Sequence, residues 1–143
     1  MTIALGGDHA GYAYKAAVIE LLEKAGHKVL NFGTDTADSV DYPDFVHPTS
    51  EAVESKKADF GILFCGSGNG VAMTANKHQG IRCAMAWGPD LARLAREHND
   101  ANMMALPCRF ISQHQALQFV ELFINTAFEG GRHERRVNKI ACV

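Results

Sequence analysis

The sequence predicts a single α/β domain built on a parallel sheet, and three observations predict it. Short β-branched runs alternate with amphipathic stretches at helical spacing along the whole chain. The length, 143 residues, suits one domain with its own core, and no repeat, linker or low-complexity segment divides it. The third apolar run, Phe60 to Cys65, ends in a glycine-rich turn, Gly66 to Gly70, after which helical spacing begins.

In chain order, Thr2–Leu5 reads as the first strand, running into a turn at Gly6, Gly7, Asp8 and His9. Ala13–Lys24 carries Ala17, Leu21 and Leu22 at helical spacing, and Gly26 ends that helix. Val29–Phe32 is the second strand. The polar loop 33–43 closes on Asp41, Tyr42 and Pro43. Phe45–Ser55 should be the second helix, Gly61–Phe64 the third strand and Asn69–Asn76 a short helix. Ile81–Trp87 reads as the fourth strand, stopped by Gly88 and Pro89, with Asp90 as the cap of a helix over Leu91–Glu97. Met103–Leu106 is the fifth strand. Gln113–Ala127 is a long amphipathic helix, broken by Gly130 and Gly131, and Arg132–Ile140 forms the last short one.

Composition excludes several function classes. Hydrophobic residues make up 47% and charged residues 21%, and the net charge of −2 gives no hint of nucleic acid or an anionic membrane as partner. The N-terminus lacks a basic region followed by an apolar segment, and no apolar run approaches the roughly 20 residues of a membrane helix. A cytosolic location is the expectation. The four cysteines, Cys65, Cys83, Cys108 and Cys142, form no CxxC pair, so neither a zinc site nor a redox motif is indicated. Free thiols fit a cytosolic chain, and Cys83 reads as a small core residue.

Ligands of parallel sheets bind beyond the carboxyl ends of the strands. Asp8 and His9 follow the first strand and Cys65 ends the third, so both belong on that rim. Glycines at 66, 68 and 70 let the backbone approach a ligand, and a helix starting near Asn69 would turn free N–H groups toward an anion. A thiolate at Cys65 would be stabilised there, and the Ser67 hydroxyl could relay a proton. A dinucleotide fingerprint needs a glycine at 71, where Val71 stands, and a Walker loop needs a Gly-Lys pair that is absent. A phosphatase loop wants an arginine where Val71 and Ala72 stand. The bland alternative is a structural turn beside a buried thiol.

Asp8 could simply cap a helix, and His98 with Asn99 could simply end one, where the dipole favours histidine. Histidine is equally the commonest acid–base residue. Arg132 and Arg136 lie four apart, so on a helix they share a face suited to a phosphate, whereas Arg135 points to solvent. Arg109 is a lone candidate. His27, His47, His78 and His114 have no partners in any motif and read as surface residues.

Taken together, the motifs around Asp8 and His9, Asp41 to Pro43, Cys65 to Gly70, Glu97 to Asn102 and Gly131 to Val137 resemble, in order, those of the type B ribose-5-phosphate isomerases. That family also holds the galactose-6-phosphate isomerase subunits. The resemblance spans nearly the whole chain. It implies a Rossmann-type three-layer sandwich with a five-stranded parallel sheet, a homodimer or dimer of dimers, and neither metal nor other cofactor. It implies interconversion of ribose 5-phosphate and ribulose 5-phosphate through an enediolate.

Carried onto this chain, the resemblance makes Cys65 the base between carbon 2 and carbon 1, with Gly66, Gly68, Asn69 and Gly70 around the enediolate oxygens. Ser67 stands where threonine is common and keeps the hydroxyl. His98 would open the sugar ring, Asp8, His9 and Asn99 would contact the sugar, and Arg109, Arg132 and Arg136 would bind phosphate. Some members use a glutamate elsewhere as base; the presence of Cys65 points to the cysteine type. Trp87, beyond the fourth strand, faces either the sugar or a dimer contact. The alternatives are an isomerase of a four- or six-carbon sugar phosphate, of the galactose or allose 6-phosphate type, and a non-catalytic sugar-phosphate binding module with a structural Cys65.

Overall fold

The sheet runs β2-β1-β3-β5-β4 with every pair parallel, in a computed structural model that describes residues Met1–Val143. Its strands are β1 (Thr2–Gly7), β2 (Lys28–Asn31), β3 (Phe60–Cys65), β4 (Cys83–Met85) and β5 (Met103–Pro107). The helices are α1 (Tyr12–Lys24), α2 (Pro43–Glu54), α3 (Asn69–Ala75), α4 (Pro89–Asn99), α5 (Gln113–Asn125) and α6 (Arg132–Val137). The expected five-stranded parallel sheet in three layers is therefore what forms.

Two apolar cores, one on each face, follow from the alternation of side chains along the strands. Ile3, Leu5, Ile62, Phe64, Met104 and Leu106 meet Val18 and Leu22 of α1, Ala92 and Ala95 of α4, and Phe119 and Phe123 of α5. Ala4, Leu63, Cys65, Met103 and Ala105 meet Val46 and Val53 of α2 and Val71 and Ala75 of α3. Burying one such large side chain stabilises by about 1.5–3 kcal/mol, so both faces contribute heavily. Cys65 belongs to the α2–α3 face, which decides which loops can reach its sulfur.

Three expectations need correction. The fourth strand is only Cys83–Met85, not Ile81–Trp87, because it is the sheet edge and side chains close its ladder. Asn76 caps it from outside, accepting the Cys83 N–H at 2.8 Å and donating to the Cys83 carbonyl at 2.9 Å. Asn102 Oδ1 takes the Arg82 N–H at 2.8 Å. Cys83 is consequently half-buried at this edge rather than a core residue. Asp90 is not the cap of α4: Gly88 holds that position in extended conformation, and Pro89 occupies the first turn, where its missing N–H costs nothing.

The third correction concerns the histidines. His114 and His47 are exposed, but His47 Nδ1 lies 2.7 Å from His78 Nε2, and half-buried His78 faces Glu54 at 3.5 Å. That chain ties α2 to the turn after α3. His27 is half-buried beside the N-terminal amine, 3.2 Å away.

Arg96, buried in the last turns of α4, fixes where that helix ends. Its guanidinium donates to the Thr126 carbonyl at 3.1 Å, to Asp100 Oδ1 at 2.9 Å and to the Ala101 carbonyl at 2.6 Å. It also lies 4.7 Å above the Phe60 ring. Together with the α5 terminus this holds His98 and Asn99 in place.

Candidate active site

β3 delivers Cys65 to the carboxyl rim of the sheet, opposite Pro107 of β5. Pairing continues past the strand ends: the Cys108 N–H donates to the Cys65 carbonyl at 2.8 Å and the Arg109 N–H to the Gly66 carbonyl at 3.0 Å. Arg109 thereby lies along Gly66, where a Cβ would meet its guanidinium at 3.2 Å. Gly68, at φ +82, then turns the chain into α3, a conformation that favours glycine.

The Cys65 thiol is buried and donates to Asp8 Oδ2 across 3.5 Å. Burial, the largest influence, pushes its pKa up, and the Asp8 charge pushes the same way. The N–H groups of Gly68 and Ser67 face the sulfur and pull the pKa down, without overcoming the burial. The expected thiolate stabilisation is thus present in the backbone but outweighed, and the resting group is a thiol.

Asp8 is itself fixed. Its Oδ1 accepts the Ala10 N–H at 2.9 Å, capping a single 3₁₀ turn over His9–Gly11. The capping role and the contact with Cys65 use different oxygens of one carboxylate, so both readings of Asp8 hold. His9 Nδ1 accepts the Val40 N–H at 3.4 Å, which tethers the polar loop after β2. Ser67 Oγ accepts the Asn69 N–H at 3.2 Å, leaving its own proton free to donate into the cleft.

A cleft of about 370 Å³ gathers Asp8, His9, Cys65, Gly66, Ser67 and Arg109, with Phe110 as a wall. It adjoins a second hollow of about 530 Å³ along Val40–Asp44, which shares Asp8 and His9. The Asp41–Pro43 motif acquires a reason here: a Cβ on Gly70 would collide with the Tyr42 ring, so the absence of a side chain lets the ring lie on α3. Phe110, 65% exposed, lies with its ring 5.5 Å from that of Trp87. Sequence reasoning passed over Phe110; its place next to Arg109 after a strand was the available signal.

His98, Asn99, Arg132 and Arg136 are not part of this cleft. Helix α4 starts at the carboxyl rim beyond β4 and returns along the sheet, so its last turn lies near Met103, where β5 begins. Cys65 pairs with Pro107, at the other end of that five-residue strand, which separates the two groups by roughly 13 Å along the sheet alone. His98 stacks on His133 of α6, ring centroids 4.2 Å apart and 17° from parallel. Arg132 and Arg136 are exposed on that same helix. A separate hollow of about 340 Å³ flanks the β4 edge, lined by His78, Arg82, Cys83, Asn99 and Cys142; it shares only Asn99 with the expected site residues.

Residues 3–140 match a family described as Ribose/Galactose Isomerase. The chain is 36% identical over 141 residues to the ribose-5-phosphate isomerase B of Escherichia coli, covering 99% of this chain and 95% of that one. A ribose 5-phosphate isomerase structure from Thermotoga maritima superposes with a TM-score of 0.96 at 46% identity, covering 99% of this chain and 98% of the other. The Mycoplasma genitalium ribose-5-phosphate isomerase B, solved with bound ribulose-5-phosphate, gives 0.94 at 38% identity, with 97% and 93% covered.

Proposed function

The chain belongs to the ribose/galactose isomerase family, and from that premise we propose that it interconverts D-ribose 5-phosphate and D-ribulose 5-phosphate through an enediolate, with Cys65 as the proton carrier. The observation that carries this reading is the contact between Cys65 Sγ and Asp8 Oδ2, in a cleft that also holds Arg109, with the N–H groups of Ser67 and Gly68 facing the sulfur. Transfer of the thiol proton to Asp8 leaves a thiolate. The thiolate takes the proton from carbon 2, and negative charge develops on the oxygens of carbons 1 and 2. Backbone N–H groups of the glycine turn are donors for that charge, and fixed donors of this kind stabilise a transition state strongly. The same sulfur then returns the proton to carbon 1, giving the ketose. Ser67 can hand its hydroxyl proton between the two oxygens.

The remaining residues support a dimer with shared sites. His98 for ring opening, Asn99 for the sugar, and Arg132 and Arg136 for the phosphate lie a strand length from Cys65 in one chain. A second copy related by a two-fold axis can present its own set to this cleft and receive the same in return. Exposed Met73, Trp87, Leu91 and Phe110 offer apolar area for such a contact. No helix is long and apolar enough to cross a membrane, and four free thiols are what the reducing cytosol preserves, which favours a cytosolic enzyme.

The test is to follow ribulose 5-phosphate formation from ribose 5-phosphate by chelator-treated protein, with Cys65→Ala beside it. Turnover that the variant loses is expected. A folded wild type that turns over only a four- or six-carbon sugar phosphate moves the substrate, and one that binds ribose 5-phosphate without exchanging the carbon 2 proton is a binding module.

A further inference from the structure

His9 stands between two hollows. Its ring lines the cleft of about 370 Å³ that holds Cys65 and also the hollow of about 530 Å³ along Val40–Asp44. Its Nδ1 accepts the Val40 N–H at 3.4 Å, and the protein makes no other hydrogen bond to the ring. The loop that carries Val40 is held at both ends. At its start, the Gly7 N–H donates to the Gly33 carbonyl at 3.0 Å and the Thr34 N–H to the Gly7 carbonyl at 3.2 Å. The buried Lys15 ammonium reaches Asn31 Oδ1 at 2.7 Å and Asp35 Oδ1 at 2.8 Å, which fastens the same stretch to α1. At its close, the Tyr42 ring lies on α3 against Gly70. Val40 sits just before that anchored ring, so its N–H is presented to His9 from a fixed frame.

We infer that the Val40 N–H fixes His9 as the neutral imidazole with its proton on Nε2, and that His9 serves the substrate as a hydrogen-bond donor, not as a proton acceptor. A neutral imidazole carries one ring proton and an imidazolium carries two. A ring nitrogen that accepts a backbone N–H holds no proton, so the contact admits only the Nε2–H tautomer; the cation would set two N–H groups against each other. With Nδ1 engaged, Nε2–H is the ring's remaining polar group, and the oxygens of a sugar phosphate in the cleft are acceptors for it. His9 then cannot compete with Cys65 for the carbon-bound proton, because Nε2 already holds one and Nδ1 is taken by the loop. The tautomer stands on this geometry alone; the donor role rests on the isomerase reading, in which the substrate fills this cleft.

The experiment starts from wild type with its seven histidines nitrogen-labelled for NMR, His9 being assigned as the signal missing from His9→Gln. At about pH 8, where an ordinary imidazole is neutral, long-range proton–nitrogen correlation should show Nδ1 bare and Nε2 protonated. Val40→Pro keeps an apolar side chain but removes the N–H, and both tautomers should then populate. In His9→Ala the Val40 amide should exchange with solvent several-fold faster, a readout that needs no proline. For turnover, glutamine places an amide near the position of Nε2 and asparagine near that of Nδ1. His9→Gln should hold KM within about threefold of wild type, whereas His9→Asn should raise it at least about tenfold with kcat nearly unchanged, as loss of a hydrogen bond to a charged group does. A proton on Nδ1, or Val40 exchange unchanged in His9→Ala, overturns the tautomer. A sole Nε2–H form in folded Val40→Pro overturns Val40 as its cause. Equal KM in the glutamine and asparagine variants, or a loss confined to kcat, overturns the donor role. A wild type that never isomerises ribose 5-phosphate refutes the isomerase reading while leaving the tautomer result intact.

Discussion

Cys65 donates its proton to Asp8 across 3.5 Å, so the residue proposed above as the base rests as an acid. Burial keeps it so, and Asp8 is both the group that raises the thiol and the nearest acceptor for its proton. Replacing the carboxylate should therefore separate two effects. In Asp8→Asn the thiol loses a charge that holds its pKa up, and alkylation of Cys65 should reach half-maximal rate at a lower pH than in wild type. Turnover should nevertheless fall by about 10²–10⁴, the usual contribution of a positioned acid–base group. An alkylation midpoint that stays put or rises would show that Asp8 does not act on the sulfur.

Gly70 and Tyr42 are a matched pair. Gly70→Ala should displace the Tyr42 ring and destabilise the protein by about 1–3 kcal/mol, as overpacking does. Tyr42→Ala in the same chain should recover a large part of that loss. Denaturant unfolding of the two single variants and the double variant measures the coupling, and simple additivity would contradict the contact.

Complementation tests the shared site. Cys65→Ala and His98→Asn chains should each be inactive alone. Unfolded together and refolded as an equal mixture, they should regain about a quarter of wild-type activity, because half the dimers are mixed and each mixed dimer has one intact site. Activity that stays at the level of the separate variants would place both residues in a site made by one chain.

Lys15 is buried, and its ammonium reaches Asn31 Oδ1 at 2.7 Å and Asp35 Oδ1 at 2.8 Å. The Lys15 hydrogen bond, followed by that of Asn31, holds the Asp35 carboxyl below its usual range. Stability from this depressed pKa is complete above the unfolded value near 4 and is lost as pH falls through the folded one. Because the Asp35 side chain is 69% exposed, Asp35→Asn should cost only about 1 kcal/mol at pH 7. The Tm difference from wild type should shrink as pH falls below about 4, the ordinary carboxylate value, and through the lowered folded one; a constant difference would remove the ion pair as its cause.

The strands were legible because both faces of this sheet are covered, so β1, β3 and β5 read as unbroken apolar runs. The start of β4 was not, since Asn76 and Asn102 take its first backbone groups from other parts of the chain. Asp8, His9 and Cys65 were placed on one rim by strand direction alone. The same rule carries His98 away from that rim, because a helix that begins at the carboxyl edge ends at the opposite one. What no local pattern conveys is the resting state of Cys65: its backbone donors are neighbours in sequence, but its burial and its partner Asp8 come from 57 residues away.

The two rungs that join Cys65 to Cys108 and Gly66 to Arg109 make the backbone beneath the sulfur and beneath the arginine a single rigid gauge. A lid that closed over this cleft would have to come from elsewhere, since neither end of the gauge can slide without breaking the sheet's own ladder. Sugar phosphates would then be sorted by span: the number of carbons between the acidic C–H and the phosphate either fits the fixed interval or leaves one end unengaged.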